Sequence, residues 1–223
     1  MAMSLRTALI AISALVGAAG CSPLAPQPDR STFFILTPLS DGATAAPASA
    51  SAQQLTIGVG PIDFPDYLRR LEVVTRASPN QLDLAAEKRW GEPLDKNFAR
   101  VLSENLALLL DDRKIEKYPW SRKTEVDYQV TVDVQRFETG ADGQSQMDAR
   151  WIIKDGVSGK DLYASETSSN SPVAPGETGA SIALSNDLAV LSRQIASKIT
   201  DLNQSAPRST SARDSRTAVA IAQ

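Results

Sequence analysis

Between Val126 and Gln135 the chain alternates without a break: Val126, Tyr128, Val130, Val132 and Val134 are apolar, while Asp127, Gln129, Thr131, Asp133 and Gln135 are polar. Successive side chains of a strand point to opposite faces, so this run predicts a strand with one face buried. Gly140 and Gly143 mark a turn, and Met147, Ala149, Trp151 and Ile153 then repeat the alternation. After a second turn near Gly156 and Gly159, Leu162-Tyr163-Ala164 completes three consecutive antiparallel strands. Beyond Pro172 and Pro175 the period changes. Leu184, Leu188, Leu191, Ile195, Ile199 and Leu202 recur at spacings of three and four, which predicts an amphipathic helix over 178–203 able to cover the sheet. Leu94, Phe98, Val101, Leu102, Leu106 and Leu109 carry the same spacing, with Lys96, Arg100 and Glu104 toward another face, and predict a helix over 94–110. Pro93 suits its start, where a missing N–H costs little.

The N-terminal half is more punctuated. Phe33 to Thr37 predicts a short buried strand stopped by Pro38, followed by an Ala/Ser-rich loop over 41–53. Leu55 to Val59 predicts a second strand ending in a turn at Gly60-Pro61. Gly58-Val59-Gly60-Pro61 lacks the third glycine and the helix start that a phosphate loop needs, so strand-and-turn is the better reading. Pro65 to Arg70 reads as a turn or short helical piece, and Glu72 to Arg76 as a strand whose hairpin partner, Gln81 to Leu84, follows a turn at Asn80. Together these elements predict an α+β fold: one domain over 31–203, with a mixed or antiparallel sheet packed by two main amphipathic helices. Residues 204–223 show no sustained period and read as a disordered tail, in which Ala218-Val219-Ala220-Ile221 is too short an apolar end to argue for strand addition.

The beginning of the chain carries a different signal. Arg6, the apolar stretch Ala8 to Val16 and the small residues Gly17-Ala18-Ala19-Gly20 form an export segment, too short to span a bilayer core that needs about 20 residues. Residues 1–20 are therefore read as a signal peptide removed on export. Ala18-Ala19-Gly20-Cys21 resembles a bacterial lipobox, with Ala18 where Leu is commonest. That resemblance implies a covalent diacylglycerol and an N-acyl chain on Cys21. The alternative is an ordinary secretory signal cut near Ala19 or Gly20. Pro23, Pro26 and Pro28 make residues 21–30 an extended tether, reaching up to roughly 30 Å from a membrane surface. Ser22, by resemblance to lipoprotein sorting in Gram-negative bacteria, is compatible with delivery to the outer membrane.

Composition narrows the function classes. Cys21 is the one cysteine of 223 residues, so the chain forms no internal disulfide. A formal net charge of −3 and the lack of any long Lys/Arg run argue against nucleic-acid binding. With no histidine, Ser-His-Asp and Cys-His nucleophile systems and histidine metal sites are excluded, and no arrangement suggests another catalytic set. Asp111-Asp112 reads as a solvated helix end rather than an acid pair. No catalytic residue, metal ligand or non-covalent cofactor is expected.

Ile57-Gly58-Val59-Gly60-Pro61, Pro65-Asp66-Tyr67-Leu68, Val73-Val74-Thr75-Arg76, Arg89-Trp90-Gly91-Glu92-Pro93-Leu94 and Tyr118-Pro119-Trp120 resemble the family of ABC-type transport auxiliary lipoproteins, over most of 31–203. The resemblance implies an accessory lipoprotein, lipid-anchored on the periplasmic face of the outer membrane, which receives the MCE-domain protein of a lipid-transport system and catalyses nothing itself. It singles out Gly58, Gly60, Pro61, Tyr67, Arg76, Trp90 and Pro93 as motif positions, structural or partner-contacting. Of these, Gly58, Gly60 and Pro61 read as turn chemistry and Trp90, with Leu94, as core. A homo-oligomer stays open. Two alternatives remain: a lipoprotein that itself holds a lipid or small ligand, which needs an enclosed apolar pocket, and a carboxylate-based envelope hydrolase, which needs acidic groups converging in a cleft.

Overall fold

The computed structural model describes residues 29–40, 55–111, 113–121 and 123–205. The signal peptide, Cys21, most of the tether, the 41–53 loop, Asp112 and the tail from 206 onward lie outside the described residues. From Ser31 the chain forms one compact unit. Its strands are β1 (Thr32–Phe34), β2 (Thr56–Asp63), β3 (Glu72–Ser78), β4 (Gln81–Trp90), β5 (Lys114–Lys117), β6 (Tyr128–Gly140), β7 (Ser145–Asp155) and β8 (Asp161–Ser169), and its helices are α1 (Leu94–Leu110) and α2 (Gly179–Ser205). A 3-10 turn spans Asp66–Leu68. The α+β expectation holds, with a mixed open sheet of eight strands and two helices.

The strand of unbroken alternation, β6, is the hub. Along one edge it pairs antiparallel with β7 from Tyr128↔Asp155 to Thr139↔Ser145, and β7 in turn pairs antiparallel with β8. Its other edge is shared. β2 runs parallel to its first half (Ile57↔Tyr128 to Asp63↔Asp133), and β3 joins parallel at its far end through Thr75↔Thr139 and Arg76↔Gly140. β4 and β1 extend the sheet beyond β3, and β5 flanks β2. A bulge between Val134 and Arg136 shifts the alternation so that Phe137, like Val134, is buried.

α1 packs over β2 and β5, α2 over β6, β7 and β8, and the helices pack on each other. At the centre Phe98 of α1 meets Phe64 edge-on at 5.2 Å and Phe137 at 5.3 Å between ring centroids. The predicted helical stripes are the buried ones: Phe98, Val101, Leu102 and Leu106 on α1, and Leu184, Leu188, Leu191, Ile195 and Ile199 on α2. α2 continues through Gln204 and Ser205, two residues past its expected end.

Two expectations change. The first strand is not Phe33–Thr37 but the three residues Thr32–Phe34. Gly91 donates its N–H to the Phe34 carbonyl at 2.7 Å, and from there the chain leaves the ladder for the helices. Thr37 N–H donates to Ser185 Oγ at 3.1 Å and Leu39 N–H to Asn105 Oδ1 at 2.8 Å, while Leu36 is fully buried. Asn105 passes the link on, its amide donating to Ser192 Oγ at 3.0 Å. The second change is at Gly60-Pro61, which is not a turn. β2 runs on to Asp63, and the register against β6 shifts between Val59 and Ile62, so the Gly-Pro pair forms a bulge within the strand. Gly60 has φ +116°, which explains the glycine.

Candidate functional site

The motif positions do not converge on one point; they separate into a surface ledge, a buried ion pair and core or cap positions. The ledge begins with glycines on β2. Ile57 and Val59 are buried in the core and Gly58 lies on the opposite side of the strand, where a Cβ would stand 2.7 Å from Trp120 Cη2. A Cβ on Gly60 would stand 2.6 Å from Tyr118 Cβ. Bare backbone at both positions lets the segment leaving β5 lie down on β2. Tyr118 N–H donates to the Val59 carbonyl at 2.9 Å, and the Gln129 side-chain amide donates to the Gly60 carbonyl at 2.8 Å, fixing the bulge that carries Pro61. The Tyr118 and Trp120 rings meet edge-on, 5.6 Å between centroids at 86°. Trp120 is half-buried and Tyr118 is 55 % exposed. The result is an anchored indole with an exposed phenol beside it, the kind of rigid aromatic anchor that protein interfaces use.

The ion pair lies where β3 joins β6. Arg76 Nε pairs with Glu138 Oε1, and Arg76 Nη1 donates to the Pro79 carbonyl at 3.1 Å. Glu138 is 2 % exposed, with Arg136 Nε 3.9 Å away. The Arg76 guanidinium sits 5.9 Å from the Tyr67 ring centre, and the Tyr67 hydroxyl donates weakly to the Gln135 carbonyl at 3.5 Å. Burial, followed by the neighbouring Glu138 carboxylate, pushes the Tyr67 hydroxyl up to about 12. Glu138 in turn holds the Arg76 guanidinium above its ordinary value. This cluster ties Tyr67 and Arg76 to the two-residue ladder between β3 and β6. Trp90 is buried beside its β1 partner Phe34, and Pro93 is the N-cap of α1. Cys21 lies outside the described residues.

Sequence reasoning passed over Glu138, one polar position in an alternating strand, and Asp187, one polar residue in a helix. Asp187 is fully buried and accepts hydrogen bonds from Ser145 at 2.5 Å, Ser171 at 2.7 Å and Ser169 at 2.9 Å. Its partners come from β7, β8 and the segment after β8, so no local pattern announces it. The acidic pair at the end of α1 stays solvated at Asp111, which is exposed.

Between β8 and α2 lies an open groove of about 600 Å³, lined by Trp151 and Tyr163 and by the polar Glu166, Arg193, Lys198 and Asp201. Lys198 Nζ sits over the Tyr163 ring, 4.3 Å from its centre, in a cation–π contact. This groove is not the enclosed apolar pocket a ligand carrier needs. Among the described residues no group of three or more His, Cys, Asp or Glu is placed to hold a metal, and no helix is long and apolar enough to cross a membrane.

The model of the ABC-type transport auxiliary lipoprotein component matches residues 38–196. The chain belongs to this family. The match takes in the ledge, the ion pair and the Asp187 cluster, all described above, so these are features of a transport-auxiliary lipoprotein domain. Among solved structures, an uncharacterised protein shares the fold with a TM-score of 0.63 at 20 % identity, covering 76 % of this chain and 98 % of its own. Protein XCC0632 from Xanthomonas campestris, assigned to the DUF330 family, does so with a TM-score of 0.61 at 16 % identity, covering 79 % and 100 %. No curated protein matches the chain.

Proposed function

We propose that this family member is a non-catalytic docking component of an ABC-type transport system, acylated on Cys21 and held by its tether at the periplasmic face of the outer membrane, where it receives an MCE-domain protein. The observation that carries the reading is the Tyr118–Trp120 ledge. It offers a partner a rigid, partly exposed aromatic surface, built where motif glycines leave room for it and beside the edge strand β5. Family membership supports a transport role, and the lipobox-like Ala18-Ala19-Gly20-Cys21 supports the anchor. Tethering would confine encounters to one membrane face and raise the effective concentration of a partner reaching it.

The test is co-purification of the mature chain with the MCE-domain protein encoded beside it, with a crosslinker for a weak complex. Tyr118→Ser should cut recovery of that partner roughly tenfold, the scale of one interface anchor, and leave thermal unfolding unchanged. A partner recovered equally by both forms would remove the ledge from the interface. Reproducible absence of the partner, with a lipid bound to the purified chain, would favour the ligand-carrier reading.

A further inference from the structure

β5 is the last strand of the sheet on the side of the ledge, paired with β2 along one edge and with no strand along the other. Lys114 N–H donates to the Leu55 carbonyl at 3.0 Å and Tyr118 N–H to the Val59 carbonyl at 2.9 Å, so every second residue from Lys114 turns its backbone toward β2. Successive peptide groups of a strand alternate in direction, and those of Ile115 and Lys117 therefore face the open edge. The side chains divide by the same rule. Register sets Ile115 beside Ile57, Glu116 beside Gly58 and Lys117 beside Val59. Lys114 and Glu116, paired at 2.8 Å, thus lie on the Gly58 side with Trp120, whereas Ile115 packs against the core and Lys117 is exposed at the end of the strand. After Trp120 the chain turns, Thr124 N–H donating to the Ser121 carbonyl at 2.9 Å, and Lys123 is exposed in that turn.

The charge of this segment runs against that of the whole chain. Residues 113–123 carry Arg113, Lys114, Lys117, Arg122 and Lys123 against Glu116 alone, in a chain whose formal net charge is −3. Lys117 and Lys123 meet no carboxylate among the described residues. Glu125 and Asp127 follow, and Asp127 is engaged by the Thr56 N–H at 2.8 Å. Lysine on an open edge discourages a second copy from pairing there. An antiparallel pair of β5 strands centred between Ile115 and Glu116 would set Lys114 of each copy opposite Lys117 of the other, like charge against like. The same lysines attract carboxylates. An acidic peptide strand would satisfy both features at once, with its backbone for Ile115 and Lys117 and its side chains for the lysines.

We propose that the ledge receives an extended acidic segment of the MCE-domain protein, which adds to the open edge of β5 through the backbone of Ile115 and Lys117 and sets carboxylates beside Lys117 and Lys123. The inference rests on the docking reading above and names the chemistry by which that partner is held. Tyr118 and Trp120 are the apolar anchor at the centre of the contact, and the lysines at its rim steer an acidic partner to this edge of an otherwise acidic molecule.

The test repeats the co-purification of the mature chain with that protein at low and at high salt. Recovery by the parent should fall several-fold as salt rises, because charges at an interface rim are screened. K117E/K123E should lower recovery roughly tenfold at low salt and remove most of the salt dependence. Lys117→Pro, which deletes an N–H directed away from β2, should also lower it roughly tenfold. Circular dichroism and thermal unfolding check that both variants are folded, and hydrogen exchange on the parent reads strand addition without a substitution: the Ile115 and Lys117 amides should slow in the complex. Carbodiimide, which couples amines to carboxylates, should join Lys117 or Lys123 to Asp or Glu of the partner. A parent that recovers the partner while K117E/K123E and Lys117→Pro recover it equally would overturn this inference and leave the docking reading standing. A parent that recovers no partner would remove the docking reading, and this inference with it. Loss in K117E/K123E without slowing of the two amides would overturn strand addition. If K117E/K123E kept the partner and instead abolished flotation of the Cys21→Ser chain with phosphatidylglycerol vesicles, the edge would be a membrane contact and the proposal would fail.

Discussion

Gly58 owes its identity to the size of another side chain. With Trp120 Cη2 2.7 Å from where its Cβ would be, Gly58→Ala forces the indole or the strand to move, and overpacking of this kind costs about 1–3 kcal/mol. Urea unfolding should show that loss, and in Gly58→Ala/Trp120→Ala it should be smaller than the sum of the single effects, because the double variant removes the collision. Additive effects would mean that the ring does not sit on Gly58. Tyr67 gives a different reading at this scale. Its hydroxyl is raised from 10.0 to about 12, so the protonated form is favoured by the fold. A group with a raised folded value contributes stability that is complete below its unfolded value and lost as pH climbs through the folded one, placing the window between about 10 and 12. Tyr67→Phe should remove a late tyrosinate absorbance step in an ultraviolet pH titration, and an unchanged late step would contradict the assignment. Neither effect is visible in the residue itself: glycine in sequence reads as a turn, and Tyr67 reads only as part of a turn or short helical piece.

Among the elements, α1 was legible to the residue because apolar spacing and Pro93 agree, whereas β6 was legible over its alternating run, because one face is almost wholly apolar, but begins at Tyr128 rather than Val126 and continues past the bulge to Gly140. β5 was not, since Lys-Ile-Glu-Lys is too short and too polar to stand out and is a strand only because β2 offers it an edge. The segment after Phe34 kept its buried Leu36 and lost its strand, because its donors found Ser185 and Asn105 on the helices. Polar positions on an apolar helix face carry more than composition suggests. Asp187 gathers three serine hydroxyls where α2 begins to cross β7, so Asp187→Ala should destabilise the fold by about 3 kcal/mol by leaving buried hydroxyls without their acceptor. Asp187→Asn, which keeps an oxygen acceptor, should lose less. The midpoint of urea unfolding decides it, and an unshifted Asp187→Ala midpoint would show the cluster to be energetically idle.

At the scale of the whole molecule the fold class and the family were readable, and the arrangement of the motif positions was not. Their spacing along the chain gives no hint that Gly58 and Gly60 belong with Tyr118 and Trp120, while Tyr67 and Arg76 belong with Glu138. In the proposed function, attachment to the membrane rests on one residue, Cys21. Cys21→Ser should abolish acylation and release the mature chain from the membrane fraction, and mass spectrometry of the mature amino terminus is the measurement. An unmodified terminus at another residue would end the lipoprotein anchor.

The shared edge of β6 also bears on how the molecule comes together in time. β7 and β8 follow β6 closely and can zip as hairpins, but β2 and β3 precede it and are joined to each other only through it. A chain released from its N-terminus onward therefore presents β2, β3 and β4 before the strand that unites them exists. Such long-range, parallel pairings are slow to form and leave apolar edges open meanwhile. The late-arriving β6 hairpin is then the step that closes the sheet, and a chain stopped short of Tyr128 is expected to aggregate rather than to yield a smaller folded half.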